Sequence, residues 1–504
     1  VNGPKKMKSD ISVMEVPTPY QVSEKMDKGS SVLKQQMEKA IKLAGTVEKE
    51  SKKLSEALID KKQLSFEDRK QVEELLGKQK QLEELVKEIK KLNEKNTFEK
   101  QENNVLKDEL AEKQKQIDDL FNNVLDEKTK ALLEELQKLM DQQNKDQTQN
   151  ELSKMQMDNK TVKKELDRIL ELYKQLEFEQ NLQNNIDRLK DLAGEQKELA
   201  QKSKTKGAET NELSKQQQHL SSQFEQLERE MQKLQEKNNA LERPNEFKQP
   251  DNEMNGIKQD QEMSKENLRK NDKDAAAKSQ EKAAEKMEKL AEKMEEMQQQ
   301  QEEAGNTVNV QELRQLLENL LNSSFDQEKV MLSLKNISSG DPQYTSLIQK
   351  QRGIKDNMGV IADSLYSLSK RVPQVESAVN EEMQKINFNI DKSLEYLGDR
   401  NTSAAGRNQQ FAMTSINNLS LMLNEALEQL QNAKKKGQKG GSTGSKSGMQ
   451  QLQKMQQQLN QNMQKAKEQM LRNGNQGQVP KGQMSQEFGR MAQQQQMIRE
   501  ALQK

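Results

Sequence analysis

The residues that come nearest to a chemical motif are Gly441-Ser442-Thr443-Gly444-Ser445-Lys446-Ser447. A phosphate-cradling loop needs a glycine directly before the lysine, and a strand-to-helix frame to aim its backbone N–H groups. Here Ser445 occupies the glycine position and no strand-like run precedes it, so the stretch reads as a solvated linker. His219 is the single histidine, within Gln216-Gln217-Gln218-His219-Leu220. One imidazole cannot build a multi-histidine metal site, and nothing in the sequence pairs it with a nucleophile. It reads as an exposed helix position. The glutamates are numerous, but none is spaced beside an inward histidine as a carboxylate di-metal site requires, so they read as surface ion-pairing groups. Lys434 to Lys446 suit a helix C-terminus followed by a soluble linker. The reading is therefore of a chain with no catalytic, cofactor-binding or metal-binding residues, that is, not an enzyme.

The 25 methionines could form an adaptable groove for partner helices. Their regular spacing, as at Met287, Leu290, Met294 and Met297, favours a plain packing seam instead. Gln298 to Gln301 and Gln493 to Gln496 read as solvated helix faces.

The elements implied by this pattern are all helical. Of 504 residues, 31% are hydrophobic, 3% aromatic and 33% charged, which is too little apolar surface for one large core. Narrow helical seams need less, so the sequence predicts an all-α fold: elongated coiled-coil hairpins around a central up-and-down bundle. With 82 basic and 82 acidic side chains, no nucleic-acid partner is expected. The absence of cysteine excludes disulfides and fits an oxidising compartment. No run is apolar enough to cross a bilayer.

The densest stripes lie in 309–436. The first helix follows Asn309 and carries Leu313, Leu317, Leu320, Leu321 and Phe325. Asp341-Pro342 reads as the start of the second, with Leu347, Gln351, Ile354, Met358, Ile361, Leu365, Leu368 and Val372 in one row. Gln351 is the polar member, and a buried amide there would fix register. After Pro373 comes a third row, Val375, Val379, Met383, Ile386, Ile390, Leu394 and Leu397, with Gly398 as the expected left-handed terminator. The fourth enters near Asn401-Thr402 and runs through Ala412, Ile416, Leu419, Leu423, Ala426 and Leu430.

Outside the bundle, 1–22 reads as an extended lead-in and 23–243 as hairpin arms. Their seams are Leu33, Met37, Ala40, Ala44, Val47, Ser51, Leu54 and Leu58; then Leu75, Gln79, Leu82, Val86 and Ile89. Later seams are Val162, Leu166, Ile169, Tyr173 and Leu176, and Leu213, Leu220, Phe224, Leu227, Met231 and Leu234. Ser65 and Asp68 form a capping box. Asp141 to Lys160 reads as a turn, and 203–209 as a break. Residues 244–273 read as a linker, 274–304 as a charged Met-rich helix ending at Gly305-Asn306. Residues 437–448 read as a Gly/Ser/Lys linker, and 449–504 as a Gln/Met-rich helical hairpin.

Asp363-Ser-Leu-Tyr-Ser-Leu-Ser-Lys-Arg-Val-Pro-Gln-Val375 and Met484-Ser-Gln-Glu-Phe-Gly-Arg-Met-Ala-Gln-Gln-Gln-Gln-Met-Ile-Arg-Glu-Ala-Leu502 carry a resemblance. The chain resembles the large coiled-coil proteins of Bacteroidota grouped as a domain of unknown function. Members of that family carry membrane-spanning helices near the N-terminus, which this sequence lacks. The resemblance thus implies a fragment of an inner-membrane-anchored envelope protein, with this segment soluble and the membrane reached only through a missing part. It supplies no catalytic residues. The expected function is a non-catalytic scaffold whose helical seams meet other proteins or a second copy. The rival is a cytoplasmic, SMC-like chromosome-organising or filament-forming coiled coil, which would need an ATPase head elsewhere.

Overall fold

The computed structural model describes residues 19–102, 108–124, 135–136, 138, 144–205, 207, 209–338, 340–375 and 378–437. Among these the chain forms ten helices and no strand. They are α1 (Pro19–Ala57), α2 (Phe66–Glu102), α3 (Asp108–Asn123), α4 (Lys145–Lys204) and α5 (Thr210–Asn239). Then follow α6 (Asp251–Arg269), α7 (Lys273–Lys335), α8 (Gln343–Ser369), α9 (Ala378–Gly398) and α10 (Thr402–Gly437). The all-α class read from the sequence is what is observed. The segments expected as a C-terminal linker and hairpin, 438–504, and most of the lead-in lie outside the described residues.

The chain divides into two compact units, with the boundary inside α4 between Leu170 and Glu171. In the first, α1 and α2 pack as a hairpin around Val47, Leu54, Leu58, Leu64, Val72 and Leu75, joined by Leu152 and Met155 of α4. The turn between them is fixed by the expected capping box. Ser65 Oγ accepts from the Asp68 N–H at 3.1 Å, and Asp68 Oδ2 accepts from the Ser65 N–H at 2.9 Å, so two orphan donors are satisfied reciprocally. Lys61 Nζ adds an ion pair to Asp68 Oδ1 at 2.6 Å. Of the stretch read as a turn, Asp141 to Lys160, residues 145–160 are instead part of α4, because Leu152 and Met155 find burial that the polar sequence hides.

The second unit holds two helical cores that share α7. The one expected from the sequence comprises the C-terminal part of α7 with α8, α9 and α10. Leu313, Leu320, Val330, Leu347, Ile354, Met358, Leu365, Ile386, Ile390, Ile416 and Leu423 form its apolar interior. Pro342 has helical dihedrals and Asp341 Oδ1 accepts from the Gln343 N–H at 2.8 Å, as the Asp-Pro start implies. The Tyr344 hydroxyl donates to the Leu397 carbonyl at 2.8 Å and ties the start of α8 to the end of α9. Asn401 caps α10 by accepting from the Ala404 N–H at 3.1 Å. The left-handed residue closing α9 is Arg400 (φ 58°), not Gly398, which is still helical. The Asn401 N–H reaches the Tyr396 carbonyl and the Arg400 N–H the Leu397 carbonyl, a Schellman closure two residues later than glycine placement suggests.

The other core is not apparent from the sequence. It takes the second part of α4, α5, α6 and the first part of α7, around Phe178, Leu182, Leu189, Phe224, Met231, Ile257, Leu268, Met287, Leu290 and Met294. Its α6 occupies the stretch read as a linker, 244–273. Only Met254, Ile257 and Leu268 are apolar on the buried face of α6, with Gln261 and Ser264 between them, too thin a stripe to reveal a helix by period. The predicted break at Gly305-Asn306 is likewise absent: α7 continues through it, and a Cβ on Gly305 would meet nothing. Glycine inside a helix costs about 1 kcal/mol, which the two flanking packed stripes offset. Asn309 is therefore mid-helix, and the cap of α7 is Asp272, whose side chain accepts from the Ala275 N–H at 2.9 Å.

Leu365 is 2% exposed at the centre of the C-terminal core. Aspartate there would bury an unpaired charge, at a cost of several kcal/mol, comparable with the stability of a small domain. The isolated fragment 310–436 is expected to melt cooperatively by circular dichroism, and Leu365→Asp to abolish that transition. A second prediction concerns Asp68. Burial pushes its carboxyl up, but hydrogen bonds from Lys61 and Ser65 outweigh this and hold it below 3.8, the usual aspartate value. A depressed folded-state pKa contributes stability above the unfolded value and loses it as pH falls through the folded one. Asp68→Ala is expected to cost about 1 kcal/mol at pH 7. The gap between the two melting curves should narrow as pH is lowered below 3.8.

Candidate functional site

The polar groups that converge most closely in the second unit are buried amides. In the C-terminal core, Gln327 of α7, Gln351 of α8 and Gln409 of α10 are each 0% exposed. Gln327 and Gln351 exchange amide hydrogen bonds at 2.7 and 2.6 Å, and Gln409 Nε2 donates to Gln351 Oε1 at 2.8 Å. Ser324 Oγ donates to Asn417 Oδ1 at 3.2 Å nearby. The other core repeats the device. Gln196 of α4 and Gln217 of α5 exchange hydrogen bonds at 2.9 and 3.2 Å. Gln261 Nε2 of α6 donates to Gln196 Oε1 at 3.2 Å, and Ser264 Oγ to Gln217 Oε1 at 3.0 Å. Ser203 Oγ donates to Gln280 Oε1 of α7 at 2.9 Å.

A buried amide is tolerated when its donors and acceptors are met, and a shift of any helix by one turn would leave them unmet. Each layer therefore fixes which helix faces which, and at what height. Most of its hydrogen bonds go to its neighbours, while Gln409 Oε1, Asn417 Nδ2 and Gln280 Nε2 are buried without a partner. Of these residues the sequence identifies Gln351 alone. Gln217 and Gln196 occupy core positions between Leu213 and Leu220 and between Leu192 and Leu199, the signal by which they could be found.

Charges flank the core of α4 to α7 in register. Lys190–Glu295, Lys197–Glu288 and Lys204–Glu281 lie at 2.6, 2.5 and 2.5 Å between antiparallel α4 and α7, each step of seven along one matched by seven back along the other. On the far side of α7, Lys286 pairs with Asp260 at 2.5 Å, and Lys293 with Glu253.

A third cluster lies where the two cores of the unit meet. Arg371, just past α8, reaches Glu312 at 2.5 Å and Asn309 Oδ1 at 2.8 Å, both on α7. Arg243, just past α5, reaches the same Glu312 at 3.4 Å. Lys370 pairs with Glu242 at 2.7 Å and lies over the Tyr366 ring, 4.7 Å from its centre.

His219 is exposed on α5, as read from the sequence, beside a depression of about 320 Å³ bordered by Glu195, Glu198, Lys202 and Lys215. Both signs of charge alternate there and no donor set converges. Among the described residues no group of three histidine, aspartate or glutamate side chains is placed to hold a metal ion. Met231, Met287, Met294, Met358 and Met383 are buried in the cores, so these methionines are packing residues and not an open groove. Gly441–Ser447 and the linker lysines Lys439 and Lys446 lie outside the described residues. In the first unit Asp118 accepts from Asn93 Nδ2 at 2.5 Å and Gln114 Nε2 at 2.9 Å. Burial holds its carboxyl above the ordinary aspartate range despite these donors.

The geometry gives the glutamine layer a distinctive mutational signature. Gln351→Leu alone strands the amides of Gln327 and Gln409 and is expected to destabilise by about 1–3 kcal/mol. Replacing all three by leucine removes every stranded group and should recover most of that loss. Urea unfolding of the single and triple variants tests this; additive losses would show that the three do not act as one network.

No family model, curated protein or solved structure matches this chain.

Proposed function

We propose that this chain is a non-catalytic structural protein, a scaffold that presents helical bundles to other proteins. The observation that carries this reading is the use of α7. One helix of 63 residues supplies a wall to each of two cores, and side chains able to do chemistry are spent on joining helices. Amides bond amides inside, lysines bond glutamates along the edges, and arginines clamp the junction. An arrangement of that kind presents the surfaces of the two cores along one shared helix. Its partners are then proteins, met through helical faces, a second copy of the chain included. Placement in the bacterial cell envelope, with anchorage to the inner membrane by a further part of the protein, rests on the resemblance carried by Asp363–Val375 and Met484–Leu502. Among the described residues no helix is long and apolar enough to cross a membrane.

Two experiments test the reading. The purified chain is expected to hydrolyse neither ATP nor GTP; turnover that survives further purification and disappears in Lys446→Ala would overturn the non-catalytic part. Fractionation of cells producing the complete reading frame should recover the protein with the envelope. Recovery in the cytosol with the nucleoid would instead favour the chromosome-organising alternative.

A further inference from the structure

The two cores of the second unit share α7, yet between them that helix has little to hold it. From 295 to 312 no side chain of α7 is buried, whereas Met294 before and Leu313 after are almost fully so. Met297 is the last residue packed on one core and Val310 the first on the other. Residues 298–309 thus span about 18 Å of helix without a place in either core. Gln298 to Ala304 are good helix formers, but the second half of the segment is poor for a helix: Gly305, Asn306, Thr307, Val308 and Asn309 follow one another. A free helix of this length is marginal in water. Charge meets its C-terminal end, through Arg371 on Asn309 and Glu312 and Arg243 on Glu312, and Lys370 on Glu242 ties the two flanking loops beside it. Arg243 and Glu242 belong to the end of one core, Lys370 and Arg371 to the end of the other.

We propose that residues 298–309 of α7 form a hinge between the two cores, and that the Arg371–Glu312–Arg243 and Lys370–Glu242 pairs are the clasp that keeps it helical and closed. With the clasp made, the weak turns are held at their C-terminal end, at Asn309 and Glu312. With it broken, the turns from Gly305 to Asn309 are held less firmly, and the two cores move more independently. The clasp groups are partly solvated, so ionic strength, or a charged partner competing for Arg371 or Glu312, sets the balance. The hinge stands whether or not the chain is a scaffold.

Hydrogen exchange on the full chain tests it. Amides of 298–309 are expected to exchange faster than those of 313–331. Arg371→Ala should speed the former by about twofold to fivefold, as loss of partly exposed ion pairs does, and leave the latter unchanged. Gly305→Ala should act oppositely, slowing 298–309 by about fivefold by raising helix propensity. The chain has no cysteine, so spin labels on Gln218→Cys and Val360→Cys, exposed positions in the two cores, report motion between them. Their distance distribution should broaden on raising salt to about 1 M, where screening acts within about 3 Å. Protection of 298–309 equal to that of 313–331, or a distance distribution indifferent to salt and to Arg371→Ala, would overturn the hinge.

Discussion

The second unit depends on how the apolar stripe of α7 is divided. Ala276, Ala277, Ala283, Ala284, Met287, Leu290, Ala291 and Met294 close one core, and Leu313, Leu316, Leu320, Val330 and Leu334 close the other. Small residues in the first stripe let neighbouring helices approach, while the leucines of the second fill a wider interior. One uninterrupted helix thus serves two cores, and each core needs only a narrow stripe from each wall. This is how a chain with 31% hydrophobic residues folds at all: it builds several thin cores where an ordinary composition would build one thick one.

Thin cores bring an ambiguity, because stripes of leucine and alanine pack almost as well when a helix slides by a turn or a heptad. The buried glutamines remove that freedom. In energetic terms they are close to neutral when paired, since each hydrogen bond replaces one made to water. Their effect lies in the alternatives they penalise, each of which strands amides in a dry interior. The surface ladder of Lys190, Lys197 and Lys204 against Glu295, Glu288 and Glu281 opposes a slide that sets Ala291, Ala284 and Ala277 opposite the lysines. Such exposed pairs contribute about 0.2–1 kcal/mol each and cannot hold the bundle together. A slide of seven residues would set Glu288, Glu281 and Asp274 opposite the three lysines, so the choice between heptad registers is left to the buried amides.

The legible parts of the fold are those where burial and period agree. Every member of the row Leu347 to Val372 is buried, Gln351 included, as are Leu33 to Leu58 and Val162 to Leu176 along their seams. Capping chemistry is equally readable at Ser65-Asp68 and at Asn401, because a side-chain acceptor at a fixed offset has one good use. Sequence and structure part where tertiary burial overrides local preference. Residues 251–269 look like a linker because three of their six buried positions, Asp260, Gln261 and Ser264, are polar, and Gln261 and Ser264 make sense only beside Gln196 and Gln217. Gly305-Asn306 looks like a helix end because propensity is low, but the caps and packing on either side carry the helix across. Gly398 looks like the terminator of α9, yet Arg400 takes the left-handed position because Tyr344 holds the Leu397 carbonyl within the helix. The glutamine partners escape a sequence reading for a related reason: a single row shows a polar residue in a core position, while the network needs three rows placed side by side.

Polar residues in a catalytic site converge on a space that a substrate can enter, and some of their groups stay unsatisfied until it does. In both cores here the amides converge mainly on one another and the helices around them are closely packed, with Gln409 Oε1, Asn417 Nδ2 and Gln280 Nε2 left without a partner. Where polar groups face solvent, as at His219 or along the α4–α7 edge, they stand in alternating charge with no shared focus. The place where specific side chains from distant parts of the second unit meet at a partly solvated point is the junction of Arg243, Lys370 and Arg371 with Glu242 and Glu312. It is built from groups strong enough to hold two bodies together and exposed enough to be competed away. A chain of this composition has little apolar surface with which to drive large rearrangements, so ion pairs of this sort are the means by which its parts can be both coupled and released.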